Sequence, residues 1–181
     1  MKPAVKLTSF KVRPPLPHQK KYRIKYGKII DNTFKGIIYY DIHPSINNYL
    51  LDCLIPYNYK QFFTVLWFEI NHGDVLPHTD SDIKTVINIY IETNQATTSF
   101  YKVKDTCITE KLENQTNGHV YDINNLIPIY NFSANPYDIW ILNVNIPHSV
   151  QSDNTKIRTA FCLQTNLDYE SVLNLFKLIS N

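Results

Sequence analysis

Residues 85–92, TVINIYIE, alternate two sets of side chains with the two-residue repeat of a β-strand. Ile87, Ile89 and Ile91 fall on one face, and Val86, Asn88 and Tyr90 on the other. A strand with an apolar back and a polar-tipped front separates two layers, which excludes an isolated helix or a coil. Runs rich in Ile, Val, Tyr, Phe and Thr recur at Tyr22–Ile30, Gly36–Ile42, Phe62–Ile70, Thr98–Val103, Leu126–Phe132, Ile139–His148 and Ile157–Gln164. Short turn signals divide them, such as Asn71–Gly73 and the polar hairpin Gln151–Lys156. So many short strands predict a mainly β barrel or sandwich. Helical spacing of apolar residues occurs at Pro44–Leu54, opened by Pro44, and at Tyr169–Ile179. Pro56–Tyr59 reads as a turn, and 104–125 as a loop with one short strand.

The length of 181 residues suits one domain with a full core. Pro3, Pro14, Pro15 and Pro17 make residues 1–20 an extended or irregular arm, leaving 21–181 as the domain. Residues 1–30 hold nine basic side chains and no acid, although the whole chain is only +2. Such an arm reads first as a solvated terminus, and it also suits nucleic acid, an anionic surface or an acidic partner. Cys53, Cys107 and Cys162 form no CxxC pair, which argues against a zinc knuckle or a disulfide framework. No apolar run reaches the length of a signal peptide core or a membrane span, so a soluble cytoplasmic protein with no membrane contact is expected. Abundant Asn, Ile, Lys and Tyr fit an AT-rich genome, such as that of a virus or phage.

Four residues carry candidate chemistry. His78 and Asp80 are two apart, so on an extended segment one metal ion meets both. Alone, that tripeptide is weak evidence and reads first as a surface turn. His148 ends the predicted strand Ile139–His148, where Trp140, Leu142, Val144 and Ile146 precede it on one face. Two imidazoles and one carboxylate form the facial set that suits non-haem Fe(II) and leaves positions open; zinc uses the same donors. Arg158 follows ten residues later on a face shared with Ala160, Cys162 and Gln164. A guanidinium there needs an anion, and its planar fork matches a carboxylate. His72 is assigned to a loop, and Asp74 and Asp82 to turns.

With HTD at 78–80, PHSV at 147–150 and KIRTA at 156–160, the chain resembles the 2-oxoglutarate- and Fe(II)-dependent oxygenases. WFEINHGDVLPHTD at 67–80 resembles their strand and glycine turn into the motif. INIYIET at 87–93 and ATTSFY at 96–101 resemble the corresponding strands of the prolyl hydroxylase-like branch. The similarity covers about residues 62–166.

The resemblance implies a double-stranded β-helix, the jelly-roll or cupin-like barrel, with flanking helices. It implies iron held by His78, Asp80 and His148. It further implies 2-oxoglutarate held by Arg158 and Tyr90, with Asn88 beside them and ascorbate as accessory reductant. The expected reaction is hydroxylation of a C–H bond coupled to oxidative decarboxylation of 2-oxoglutarate. A peptide or protein residue such as proline is the first expected substrate, and a nucleic acid or nucleotide the second. A barrel that binds ligand without turnover is the reading from a different class. One departure is Ala160, where many members have the Ser of an Arg-x-Ser pattern. Substrate selection falls to the N-terminal segment and the loops at 71–77, 93–98 and 104–125.

Overall fold

The computed structural model describes residues 2–14, 23–25, 37–70, 73–80, 82–104, 110–111, 118–152 and 156–179. Among the described residues, thirteen strands and two α-helices follow one another. Strands β1 (Ala4–Lys6), β2 (Arg23–Lys25) and β3 (Ile37–Ile42) lead to α1 (Pro44–Leu54), then to β4 (Thr64–Ile70), β5 (Val75–Thr79), β6 (Thr85–Glu92) and β7 (Thr97–Val103). After β8 (Glu110–Lys111) and β9 (His119–Val120) come β10 (Leu126–Ser133), β11 (Ile139–Asn143), β12 (His148–Gln151), β13 (Arg158–Thr165) and α2 (Tyr169–Ile179). Among the described residues, no helix is long and apolar enough to cross a membrane.

The strands form two sheets, ordered β1-β11-β6-β13-β4-β3-β2 and β10-β7-β12-β5-β9-β8. Within them β4 pairs with β13, β5 with β12, β6 with β11 and β7 with β10, all antiparallel. These eight strands are therefore one long antiparallel ribbon wound so that successive strands lie in opposite sheets. Pairing of β6 with β13 and of β7 with β12 joins successive turns of the winding. This is a double-stranded β-helix, as the sequence leads one to expect.

Two cores result. Outside the larger sheet, Ile87, Ile89, Ile91, Ile139, Ile141, Phe161 and Leu163 pack against Ile46, Leu50 and Leu54 of α1 and Val172 and Phe176 of α2. Inside the barrel lie Phe68, Ile70, Val86, Tyr90, Phe100, Phe132, Trp140, Ala160 and Cys162. The alternation of β6 thus divides as the sequence predicts, with isoleucines toward the helices and Asn88 and Tyr90 inward.

Five expectations change. The predicted strand Ile139–His148 is two strands: β11 ends at Asn143, Val144–Ile146 turns, and His148 opens β12 in the other sheet. Apolar side chains continue the alternation through that turn because Val144 and Ile146 still pack on the inner core, so the pattern conceals the break. β12 and β13 then lie in different sheets, so they do not form the expected hairpin, and Arg158 faces the site from across the barrel rather than from the strand beside His148. Pro77 lies within β5, in a segment read from sequence as loop. The N-terminal arm is anchored in part: β1 pairs with β11, Lys6 bridges Asp138 at 2.8 Å, and Phe10 packs edge-on against Phe176. The turn expected after α1 is the short 3-10 helix Tyr57–Phe62.

Phe161 is fully buried between sheet and helices and meets Trp67 at 5.0 Å between ring centroids. Phe161→Ala should lower unfolding free energy by about 3–5 kcal/mol, read from urea denaturation.

Candidate metal centre

The site begins with a register. His78 of β5 and His148 of β12 are directly opposite one another. Between that pair and the next, Val150 opposite Val75, β5 contains one extra residue. This bulge turns both Val75 and His78 into the same cavity, which a regular strand forbids for residues three apart. Pro77, which has no N–H to give a ladder, sits in that irregular stretch. Asp80 follows just beyond β5, and its N–H donates to the carbonyl of Val144 at 3.1 Å.

The donor atoms converge. Asp80 Oδ1 lies 3.3 Å from His78 Nε2 and 3.8 Å from His148 Nε2, and the three donor atoms fall within 4.8 Å of one another. His78 Nδ1 donates to the Leu76 carbonyl at 2.8 Å, and His148 Nδ1 to the Ile146 carbonyl at 3.0 Å. A carbonyl only accepts, so each bond puts the proton on Nδ1 and turns the lone pair of Nε2 toward Asp80. The sequence therefore fixes the tautomer through backbone carbonyls two residues upstream.

Electrostatics agree with this arrangement. Burial, and then repulsion from His78, hold the His148 imidazole down to about 4, against an ordinary value of 6.5. It is thus neutral, as a ligand must be, through the physiological range. Burial acts to raise the Asp80 carboxyl, but its two imidazole neighbours, His78 and then His148, outweigh it and hold the group below the ordinary carboxylate value. Two imidazoles that offer Nε2 and an ionised carboxylate can bind a divalent metal such as Fe(II).

Arg158 lies in the same cavity and is 2% exposed. One terminal nitrogen donates to Thr98 Oγ1 at 3.0 Å, and the guanidinium carbon stands 4.8 Å from the centre of the Tyr90 ring. Its Nε and its other terminal nitrogen are buried without a hydrogen-bond partner. Among the described residues, no carboxylate forms an ion pair with it. Asn88 donates to the Tyr90 hydroxyl at 3.2 Å, which leaves that hydroxyl's own proton for a further acceptor. The remaining wall is mostly apolar, from Ile37, Phe68, Ile70, Val75, Leu142 and Val150.

All six residues singled out from the sequence line this one cavity: His78, Asp80, His148, Arg158, Tyr90 and Asn88. Sequence reasoning missed Thr98 and Tyr39. Thr98 lies in the ATTSFY stretch at 96–101, but a threonine in a strand carries no signal of its own. Tyr39 comes from β3, outside the eight wound strands, and enters the cavity only because it pairs with Phe68. Asp74 accepts from Ser152 N at 2.9 Å and ties the turn before β5 to the end of β12, as its turn assignment implies. His72 lies outside the described residues.

The sequence matches no family model and no curated protein. Among solved structures, that of ycfD from E. coli aligns with a TM-score of 0.53 at 11% identity, covering 91% of this chain and 49% of that one. Vicilins from Corylus avellana and Solanum melongena give TM-scores of 0.43 and 0.41 at 11% and 17% identity, over 82% and 81% of this chain and 31% of each vicilin. At such identities the likeness is one of fold. The chain spans about half the ycfD chain and under a third of each vicilin.

His148→Ala should abolish Mn(II) binding in a titration followed by electron paramagnetic resonance, while circular dichroism stays that of the parent. Retention of full affinity would refute the shared site. In the metal-free protein, the His148 ring should titrate near 4 by NMR. Its folded value lies below the unfolded one, so the unfolded chain binds the proton first. This residue's contribution to stability therefore falls as pH drops from about 6.5 toward about 4.

Proposed function

We propose that this protein is an Fe(II)- and 2-oxoglutarate-dependent dioxygenase that hydroxylates a C–H bond. The observation that carries the reading is Arg158. A buried guanidinium with two unpartnered nitrogens, in the cavity that holds a His/Asp/His triad, calls for an anionic ligand. A dicarboxylate satisfies both ends, with one carboxylate on the guanidinium and the keto-acid end toward the triad.

The residues present fit both groups. His78, Asp80 and His148 would hold the iron on one side and leave the opposite side open. Arg158 would take the distal carboxylate, with Thr98 fixing the guanidinium and the Tyr90 hydroxyl adding a donor. Thr98 thereby offers a hydroxyl on that guanidinium although position 160 is Ala. Bound iron with its co-substrate supplies the oxidising power that places one oxygen atom in a C–H bond and the other in succinate, with loss of carbon dioxide. The chain's own part is orientation and exclusion of water: fixed imidazole tautomers, a stacked and bonded guanidinium, and an apolar wall.

A peptide or protein residue, such as proline, is the substrate this reading favours. The resemblance to the prolyl hydroxylase-like branch supports it. So does the wall, where the described residues present no cation besides Arg158 to receive a phosphate. A barrel that binds without turnover is separated by experiment: Fe(II), 2-oxoglutarate and ascorbate should yield succinate only from a catalyst.

Arg158→Leu should weaken 2-oxoglutarate binding by roughly 10- to 150-fold, the loss of about 1.5–3 kcal/mol expected for a hydrogen bond to a charged group. Lysine should restore part of it, having charge without the fork. Tyr90→Phe should cost less, as it removes one neutral donor. Calorimetry with Mn(II) in place of iron measures all three. Parent-like affinity in Arg158→Leu would remove the co-substrate assignment.

A further inference from the structure

In the turn between β10 and β11, a tyrosine stands where glycine is the usual residue. Tyr137 has a φ of 68°, in the left-handed region that suits glycine. Pro136 precedes it, and Asp138 N donates to the Asn135 carbonyl at 3.0 Å, which closes a tight turn whose third position takes that φ. The turn also meets β6. Tyr137 N donates to the Tyr90 carbonyl at 2.6 Å, and Tyr90 N donates to the Asp138 carbonyl at 3.0 Å. Tyr137 and Asp138 thus oppose Tyr90 together, a bulge whose left-handed residue is ordinarily glycine. A tyrosine persists there only where its surroundings hold it.

Asp138 supplies the hold. Its Oδ2 accepts from Asn135 N at 2.9 Å, closing the turn on itself. Its Oδ1 pairs with Lys6 Nζ at 2.8 Å, tying the turn to β1. What is held is Tyr90. The ladder on the other side of β6 is irregular at the same place: Ala160 lies opposite Tyr90 and Thr159 opposite Glu92, so β6 has one residue more than β13 there. With both neighbouring ladders broken at Tyr90, regular pairing does not set its aim, and the turn does. The Tyr90 ring stands 4.8 Å from the Arg158 guanidinium carbon. It also meets Phe132, on the strand that enters the turn, edge-on at 6.5 Å. Thr98 fixes one guanidinium nitrogen, which leaves the ring to set the tilt of the fork.

We infer that Asp138 is a positioning residue for the anion pocket: by locking the turn opposite Tyr90 it holds the Tyr90 ring, and through that ring the free edge of the Arg158 guanidinium. This rests on the reading of the cavity as a 2-oxoglutarate site. It also gives the N-terminal arm a part in that site, because Lys6 shares the carboxylate. The triad lies apart from this chain of contacts. His78 and His148 belong to the smaller sheet, and Asp80 is tied to Val144, beyond the far end of β11.

The test is calorimetry of 2-oxoglutarate on Mn(II)-loaded protein, with a separate Mn(II) titration. It compares the parent, Asp138→Ala, Arg158→Leu and two double variants, in which Asp138→Ala is joined to Tyr137→Gly or to Arg158→Leu. Asp138→Ala should bind 2-oxoglutarate about 3- to 10-fold more weakly, the worth of one ordinary hydrogen bond, with Mn(II) affinity unchanged. Adding Tyr137→Gly should restore parent affinity, because glycine keeps the left-handed turn without the lock. In the Arg158→Leu background, Asp138→Ala should cost nothing further, since its effect passes through the guanidinium. Parent-like 2-oxoglutarate affinity in Asp138→Ala overturns the inference. So does an equal loss of Mn(II) affinity, which marks general loosening. Failure of glycine to rescue, or an added loss in Arg158→Leu, overturns it as well. A parent that binds Mn(II) but no 2-oxoglutarate removes the co-substrate reading instead, and that shows in the parent arm alone.

Discussion

The antiparallel pairing of β5 with β12 is the contact on which the site depends. It sets His78 directly against His148, though they are 70 residues apart in sequence. Winding makes this possible, because strands second from each end of the ribbon meet in the smaller sheet. The bulge in β5 then decides which side chains look inward. A register slip by one residue would send His78 to the outer face and end any shared site. The imidazole orientations derive from the same backbone, since the Leu76 and Ile146 carbonyls that hold them flank the paired residues.

Much of this was legible in the sequence because each legible element buries one face against a single layer. The isoleucines of β6 meet the helices, and Asn88 and Tyr90 meet the barrel, so a repeat of two is unbroken over eight residues. Both α-helices appear at the predicted boundaries for the matching reason. The failures occur where burial persists without regular structure. Val144 and Ile146 are inward-facing in a turn, and alternation alone cannot distinguish that turn from a strand. Strand β5 failed in the opposite sense. It is five residues long, holds a proline, and exposes Leu76 on its outer side, so it lacks the features by which strands announce themselves.

His78, Asp80, His148 and Arg158 were found by chemical type and spacing, and Tyr90 and Asn88 through the family resemblance; spacing along the chain says little about the route between them. Ten residues separate His148 from Arg158, which suits a hairpin as readily as a crossover. Only the sheet order distinguishes the two, and it favours the crossover. That outcome has a physical consequence. A hairpin would set guanidinium and imidazole side by side on one surface. The crossover places them on facing sheets, where a ligand can lie between them.

The division into two cores explains how the interior tolerates what it holds. Unpartnered polar atoms of Arg158, Asn88 and Trp140 inside the barrel each oppose folding by roughly 1–3 kcal/mol, more where charge is involved. The helix-side core bears less of this burden: its members are aliphatic or aromatic, the Tyr169 hydroxyl is its unpartnered polar atom among the described residues, and α1 and α2 close it from outside. Stability can then come largely from one face of the larger sheet while the other face keeps groups unsatisfied for a ligand. The two faces belong to the same strands, so β6 and β13 each carry both functions on alternate residues. On β13, Phe161 and Leu163 anchor the helices, while Arg158 and Cys162 line the cavity. A ligand that satisfied Arg158 would remove part of the cost and so stabilise the barrel, coupling occupancy of the cavity to the fold that forms it.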